Sequence, residues 1–271
     1  MPVATSRPRV LVTNDDGVHA PGLAALARHL VAAGHDVVVA APLDDRSGTG
    51  AGFGTADYQA GIEVIAYDLE GLDGVPAYGV AGPPALAVMA SRLGAFGPEP
   101  DLVASGINPG HNTGRSVLHS GTVGAALTAA NFGISGLAVS AGTGLDPHFE
   151  TAAAIAVTCL EWLAAAPAKT VLNVNVPSRP LDELAGIRAA RLAPFGTVRM
   201  ALAGRTDSHL QLELRATGLE LEPDTDTSLV EAGYVAVTAL TGITRAGGED
   251  EVVSLVAAGV RARLGGEASV R

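Results

Sequence analysis

Along the chain, short runs of Val, Ile, Leu and Ala alternate with segments in which apolar residues return every three or four positions. Arg9 to Thr13 predicts a strand, Pro21 to Ala33 a helix and Asp36 to Ala41 a second strand. Gly34 would stop that helix, and the length suits a right-handed crossover between parallel strands. The same alternation continues with strands at Ile62 to Tyr67, Asp101 to Ser105, Gly136 to Ser140 and Thr170 to Val176. Between them lie predicted helices at Pro84 to Leu93, Thr122 to Asn131 and Glu150 to Ala165. Nearly continuous apolar strands of this kind belong to a parallel sheet covered on both faces, so the expected fold class is α/β with three layers.

The texture changes after Pro177. Residues Ile187 to Leu221 alternate more evenly, as in Leu210-Gln211-Leu212-Glu213-Leu214, which predicts antiparallel hairpin strands with one exposed face, an arm or small subdomain. Tyr234 to Leu240 returns to a strand and Val252 to Leu264 reads as a terminal amphipathic helix. The expected organisation is a catalytic core over 1–180, followed over 181–271 by the hairpin arm and C-terminal strand and helix.

Composition narrows the function. With 271 residues and 48% hydrophobic content the chain can bury a large core. No apolar run reaches roughly 18 residues, and the first residues carry arginine without a long apolar stretch, so neither a membrane span nor a secretory signal is expected and the expected compartment is the cytoplasm. Cys159 is the sole cysteine, which excludes intrachain disulfides and cysteine-based zinc sites and leaves a buried core thiol as its expected state. A formal charge of -11 argues against binding a nucleic acid duplex, while a small phosphorylated substrate stays compatible if a bound cation reverses the local sign. Lys169 is the only lysine, and no Gly-Lys-Ser/Thr triplet exists, so this is no P-loop enzyme.

Three loops follow predicted strands: Asn14-Asp15-Asp16-Gly17, Asp44-Asp45-Arg46-Ser47-Gly48 and Ser105-Gly106-Ile107-Asn108-Pro109-Gly110. In a parallel sheet such strand ends converge on one crevice. Adjacent carboxylates at Asp15 and Asp16 repel unless a cation lies between them. Two carboxylates, the Ser47 hydroxyl and the Asn108 carboxamide form an all-oxygen set suited to Mg²⁺ or Mn²⁺. Each loop alone also reads as ordinary turn chemistry, and only their shared position at strand ends favours a site. Ser120-Gly121-Thr122 opens a small-residue helix, giving either an anion site at the helix N-terminus or a plain N-cap. His19, His111 and His119 are candidate proton donors near this crevice. Two look-alikes fail: Asp224-Thr225-Asp226-Thr227-Ser228 follows no buried strand and reads as a helix cap and turn, and Leu118 stands where a serine-hydrolase elbow needs glycine.

Val12-Thr13-Asn14-Asp15-Asp16-Gly17 with Ala20-Pro21-Gly22, Arg46-Ser47-Gly48, Pro100 to Gly110 and Ser120-Gly121-Thr122-Val123-Gly124-Ala125-Ala126 together resemble the survival protein SurE family, metal-dependent 5′/3′-nucleotidases and acid phosphatases. Asn173-Val174-Asn175-Val176-Pro177, Asp224-Thr225-Asp226 and Gly233 to Thr238 extend the resemblance over nearly the whole chain. It implies a Rossmann-like core with a projecting β-hairpin arm, C-terminal oligomerisation elements and dimers or tetramers. It puts Asp15, Asp16, Ser47 and Asn108 in the places of the metal ligands, with Asp15, Asp16 and Asn108 catalytic. On the phosphate side it implies Asn14, Gly106, Ser120, Gly121 and Thr122. The chain departs from the family pattern in the glycine-rich loop after Ser47, in Thr113-Gly114-Arg115-Ser116 where acidic residues are usual, and at His119 where tyrosine is frequent. The expected activity is hydrolysis of nucleoside monophosphates or a related phosphorylated metabolite. The alternative is a non-catalytic nucleotide-binding module on the same fold.

Overall fold

A computed structural model describes residues 7–55, 59–142, 147–194, 198–216, 218 and 220–243. The helix expected at Val252 to Leu264 lies outside these residues. Six strands form the parallel centre of a nine-stranded sheet: β1 (Arg9–Thr13), β2 (Asp36–Pro42), β4 (Ala77–Val80), β5 (Leu102–Pro109), β6 (Ser135–Ala141) and β7 (Val171–Val176). With β3 (Val64–Tyr67), β8 (Gly186–Ala189) and β11 (Tyr234–Leu240), the order is β3-β4-β2-β1-β5-β6-β7-β11-β8. The edges depart from the parallel rule, since β3 runs antiparallel to β4 and β11 antiparallel to β7.

Period-two burial explains the layers. Val10 and Val12 face a cluster shared with Leu26 and Leu30 of α1 (Pro21–Ala32) and Leu160 of α4 (Phe149–Ala165). Leu11, pointing the other way, packs with Leu86 of α2 (Pro84–Arg92) and Ala125 of α3 (Gly121–Asn131). All seven of these leucine and valine side chains are fully buried, and each contributes roughly 1.5–3 kcal/mol of transfer free energy. The first three helices end in the same way. After α1 the His35 and Gly34 N–H groups donate to the Leu30 and Val31 carbonyls, and equivalent pairs close α2 and α3, returning the chain sharply toward the next strand.

The sequence pattern misplaces some boundaries. β4 escapes it because Ala-Tyr-Gly-Val is too short and too mixed to show a period. β8 lies within the even alternation starting at Ile187, yet it pairs in parallel with β11 in the main sheet, because alternation reports an exposed face and not the neighbouring strand. Strands β8 and β11 thus place part of 181–271 in that sheet. The arm itself is a separate two-stranded sheet, β9 (Val198–Arg205) with β10 (Leu210–Ala216). Leu202 pairs directly with Leu212, and Met200 stands two residues along on the same face; all three are more than half exposed. Cys159 is half-buried against the core rather than enclosed in it, and burial pushes its thiol up to about 11. Among the described residues, no helix is long and apolar enough to cross a membrane.

Candidate active site

β1 lies between β2 and β5, so the chain leaves the sheet centre in both directions and opens a crevice at the strand ends. A cleft of about 370 Å³ occupies it, lined by Asp15, Asp16, Ser47, Gly48, Asn108, Pro109, Asn112, Ser116, His119 and Ser120. The four residues expected to hold a cation are therefore brought together.

Asp15 is buried at the N-terminus of α3. Its Oδ2 accepts from the Gly121 N–H at 3.0 Å and its Oδ1 from the Thr122 hydroxyl at 2.6 Å. A Cβ on residue 121 would stand 2.7 Å from this carboxylate, so glycine is what lets the helix end approach it. Burial lifts the Asp15 carboxyl above its ordinary range against the opposing pull of these hydrogen bonds. Asp16 has no such donors: its Oδ2 is buried without a hydrogen-bond partner. Burial first, then the charges of Asp15 and Asp45, push the Asp16 carboxyl up to about 7. An orphaned buried carboxylate oxygen beside a second carboxylate is the arrangement a divalent cation relieves.

Ser47 directs its N–H and hydroxyl at Asp45 Oδ1, at 2.8 and 2.6 Å, which holds the Asp45 carboxyl below the usual range and leaves the serine lone pairs for the cleft. The loop is tied at both ends, by Arg46 N–H to the Asp15 carbonyl at 2.7 Å and Gly50 N–H to the His119 carbonyl at 3.2 Å. Asn108 is not in a loop, as the sequence suggests, but on β5. The strand breaks register between Ser105 and Asn108 and resumes with Asn108 opposite Ser140, a bulge that re-aims the side chain. Its Nδ2 donates to the Gly110 carbonyl at 2.6 Å, which leaves Oδ1 as the atom that could hold a cation. Among the described residues no group of three His, Cys, Asp or Glu side chains is placed to hold a metal ion, so a cation held here would also draw on these hydroxyl and carboxamide oxygens.

The expected phosphate side divides. Ser120 lines the cleft; its Oγ caps α3 by accepting from Val123 N–H at 3.1 Å, and its proton remains to donate. Gly121 and Thr122 give their donors to Asp15 instead. Asn14 is buried in the turn below, exchanging hydrogen bonds with Gly17 at 3.1 and 3.3 Å, and Gly106 lies within the β5 bulge; neither lines the cleft. Of the three histidines only His119 lines it. His19 packs edge-on against Tyr67, and His111 directs Nε2 at the Val176 carbonyl at 3.0 Å, with burial holding its pKa below the usual histidine range.

Sequence motifs miss the wall formed by Asn112 and Ser116. Asn112 is clasped from β7: Asn173 and Asn175 donate to its carbonyl at 2.8 and 3.0 Å, and its own N–H donates to Asn175 Oδ1 at 2.8 Å. The available signal was the pair Asn173 and Asn175 inside an otherwise apolar strand, since buried amides require partners.

Comparisons agree with this architecture. Residues 10–197 match the family described as survival protein SurE. The 5′/3′-nucleotidase SurE of Cronobacter sakazakii is 37% identical over 240 residues, covering 86% of this chain and 89% of the relative. The 5′-nucleotidase SurE of Aeromonas hydrophila is 37% identical over 238 residues, covering 86% and 92% respectively. The crystal structure of the SurE protein from Aquifex aeolicus superposes with a TM-score of 0.78 at 29% identity, covering 92% of this chain and all of that one. With its motifs in order and its strand ends meeting at one acidic cleft, the chain belongs to the SurE family.

Proposed function

We propose that this protein is a divalent-cation-dependent phosphomonoesterase acting on nucleoside monophosphates or a related phosphorylated metabolite. The observation that carries the reading is the orphaned Asp16 Oδ2 beside Asp15, in a cleft completed by Ser47 and Asn108 oxygens. The nucleotidase names of its relatives set the substrate class. Asp15, Asp16, Ser47 and Asn108 would hold Mg²⁺ or Mn²⁺. When bound, such a cation supplies charge neutralisation for a phosphoryl group and lowers the pKa of water. Gly121 and Thr122 hold Asp15 in one rotamer, Asp16 orients the attacking water, and the Ser120 hydroxyl donates to a phosphoryl oxygen. Water attacks phosphorus opposite the ester oxygen, so a new P–O bond forms as the ester P–O bond breaks; the water's protons stay on the released phosphate, and His119 gives the leaving oxygen its proton. In this reading residues 1–180 carry the chemistry and 181–271 supply the arm through which copies associate as dimers or tetramers.

Phosphate release from p-nitrophenyl phosphate and a panel of nucleoside monophosphates, with EDTA, Mg²⁺ or Mn²⁺, tests this. Release that needs the cation and is lost in Asp15→Asn is expected. Nucleotide binding without release under any cation would identify a binding module instead.

A further inference from the structure

One wall of the cleft draws on a single 3-10 turn, η1 (Gly114–Leu118), through Ser116, and on His119 just after it. It belongs to no sheet. One hydrogen bond at its start comes from far along the chain: Gly114 N–H donates at 2.8 Å to Oδ2 of Asp226, the first residue of α5 (Asp226–Glu231). Asp226 is completely buried, and its Oδ1 accepts from the N–H groups of Ala193 at 2.9 Å and Thr227 at 2.8 Å. The cap of α5 is a different residue, Thr225, whose hydroxyl accepts from Ser228 N–H. Capping therefore does not account for the burial of this side chain. Gly114 has φ +56°, and a Cβ there would stand 2.9 Å from the Ala193 carbonyl, so η1 is seated against that backbone with no clearance. From this seat the turn runs to His119, whose N–H donates to the Ser116 carbonyl at 2.9 Å.

Resting on the phosphomonoesterase reading, we propose that Asp226 is a positioning residue, holding η1 so that Ser116 and His119 present the surface that receives the leaving group of the ester. The other side of the cleft is anchored chiefly by the sheet, and it meets this wall through the Gly50 N–H bond to the His119 carbonyl. Asp15, Asp16, Ser47 and Asn108 stand at the ends of β1, β2 and β5, and Asn112 has its own clasp from β7, so each has its main anchor away from Asp226. Asp226 thus separates two halves of one reaction. The phosphoryl half is set by the sheet, while the leaving-group half is set by a buried carboxylate on α5.

The test compares substrates. A nucleoside leaves as a poor leaving group that needs both a proton and a seat, whereas p-nitrophenol leaves readily without either. In Asp226→Asn, an NH₂ faces backbone donors. We expect kcat/KM for a nucleoside 5′-monophosphate to fall about tenfold, the scale of one lost hydrogen bond. The kcat for p-nitrophenyl phosphate and the inhibition constant of inorganic phosphate should stay within about twofold, since neither uses the wall. Gly114→Ala, which leaves the carboxylate intact and pushes η1 off Ala193, should reproduce the selective loss; it decides the matter if Asp226→Asn does not fold. Unchanged nucleotide kinetics, or a parallel loss on all three measurements, overturns the proposal. Wild-type protein inactive on both esters overturns the phosphomonoesterase reading and this placement with it; active wild type with indifferent variants overturns the placement alone.

Discussion

The central strands and the hairpin arm are built from the same residue types and put them to opposite uses. Leu11, Val38 and Val103 on β1, β2 and β5 are fully buried, whereas Leu202 and Leu212 on the arm are each 56% exposed and Met200 is 64% exposed. Helices cover both faces of the sheet; the arm is a two-stranded ribbon, a form marginal in water without other cover. The difference teaches where precision resides. The sheet fixes strand ends closely enough to bring two carboxylates, a hydroxyl and an amide to one point. The arm instead holds Met200, Leu202 and Leu212 on one face that no other described residue buries.

The sharpest test of the contrast is chemical. Asp15→Asn preserves size at the sheet end but removes a charge, and we expect turnover to fall about 10³-fold or more while the thermal midpoint changes little, because the several kcal/mol a cation supplies are lost. A fully active variant would break the assignment. Next comes the core itself. Leu11→Ala should cost about 2–5 kcal/mol in urea unfolding, against about 0.5 kcal/mol or less for Leu202→Ala on the arm. Similar costs at the two sites would erase the distinction. A smaller effect concerns pH. The folded state raises the Asp16 carboxyl to about 7, so between the ordinary carboxylate range and neutrality the folded protein holds more protons than the unfolded one. Without divalent cation its stability must therefore fall as pH rises through that window, and Asp16→Asn should flatten the slope of thermal midpoint against pH. The smallest change in stability is expected from Leu202→Ser with Leu212→Ser. Sedimentation should show weaker self-association with the unfolding transition almost unmoved; an unaltered assembly would assign the contact elsewhere.

Much of this was legible in the residues. The runs that became β1, β2, β6 and β7 and the helices between them stand close to their predicted bounds, because long covered strands and amphipathic helices leave strong periods, whereas β5 runs four residues past its predicted end at Ser105. The union of Asp15, Asp16, Ser47 and Asn108 followed from strand-end position. What the sequence could not show was partnership. Gly121 and Thr122 read as phosphate donors, yet their hydrogen bonds are spent on Asp15, a residue more than a hundred positions earlier. Asp226 read as part of a cap and turn; the cap is Thr225, and the aspartate reaches back to Gly114 across 112 positions. The bulge that turns Asn108 inward likewise depends on pairing with β6, which no local pattern encodes.

The nine-stranded sheet ends on a four-residue strand at each side, β3 at one margin and β8 at the other. Such brief margins expose few unpaired backbone groups, and at the β8 margin the Arg188 guanidinium lies 4.3 Å from the centre of the Tyr234 ring, setting a positive charge beside the open edge. Among the described residues, these margins offer little backbone for another strand to pair with. Growth into a fibre through these margins is thus discouraged by the same short strands that finish the fold.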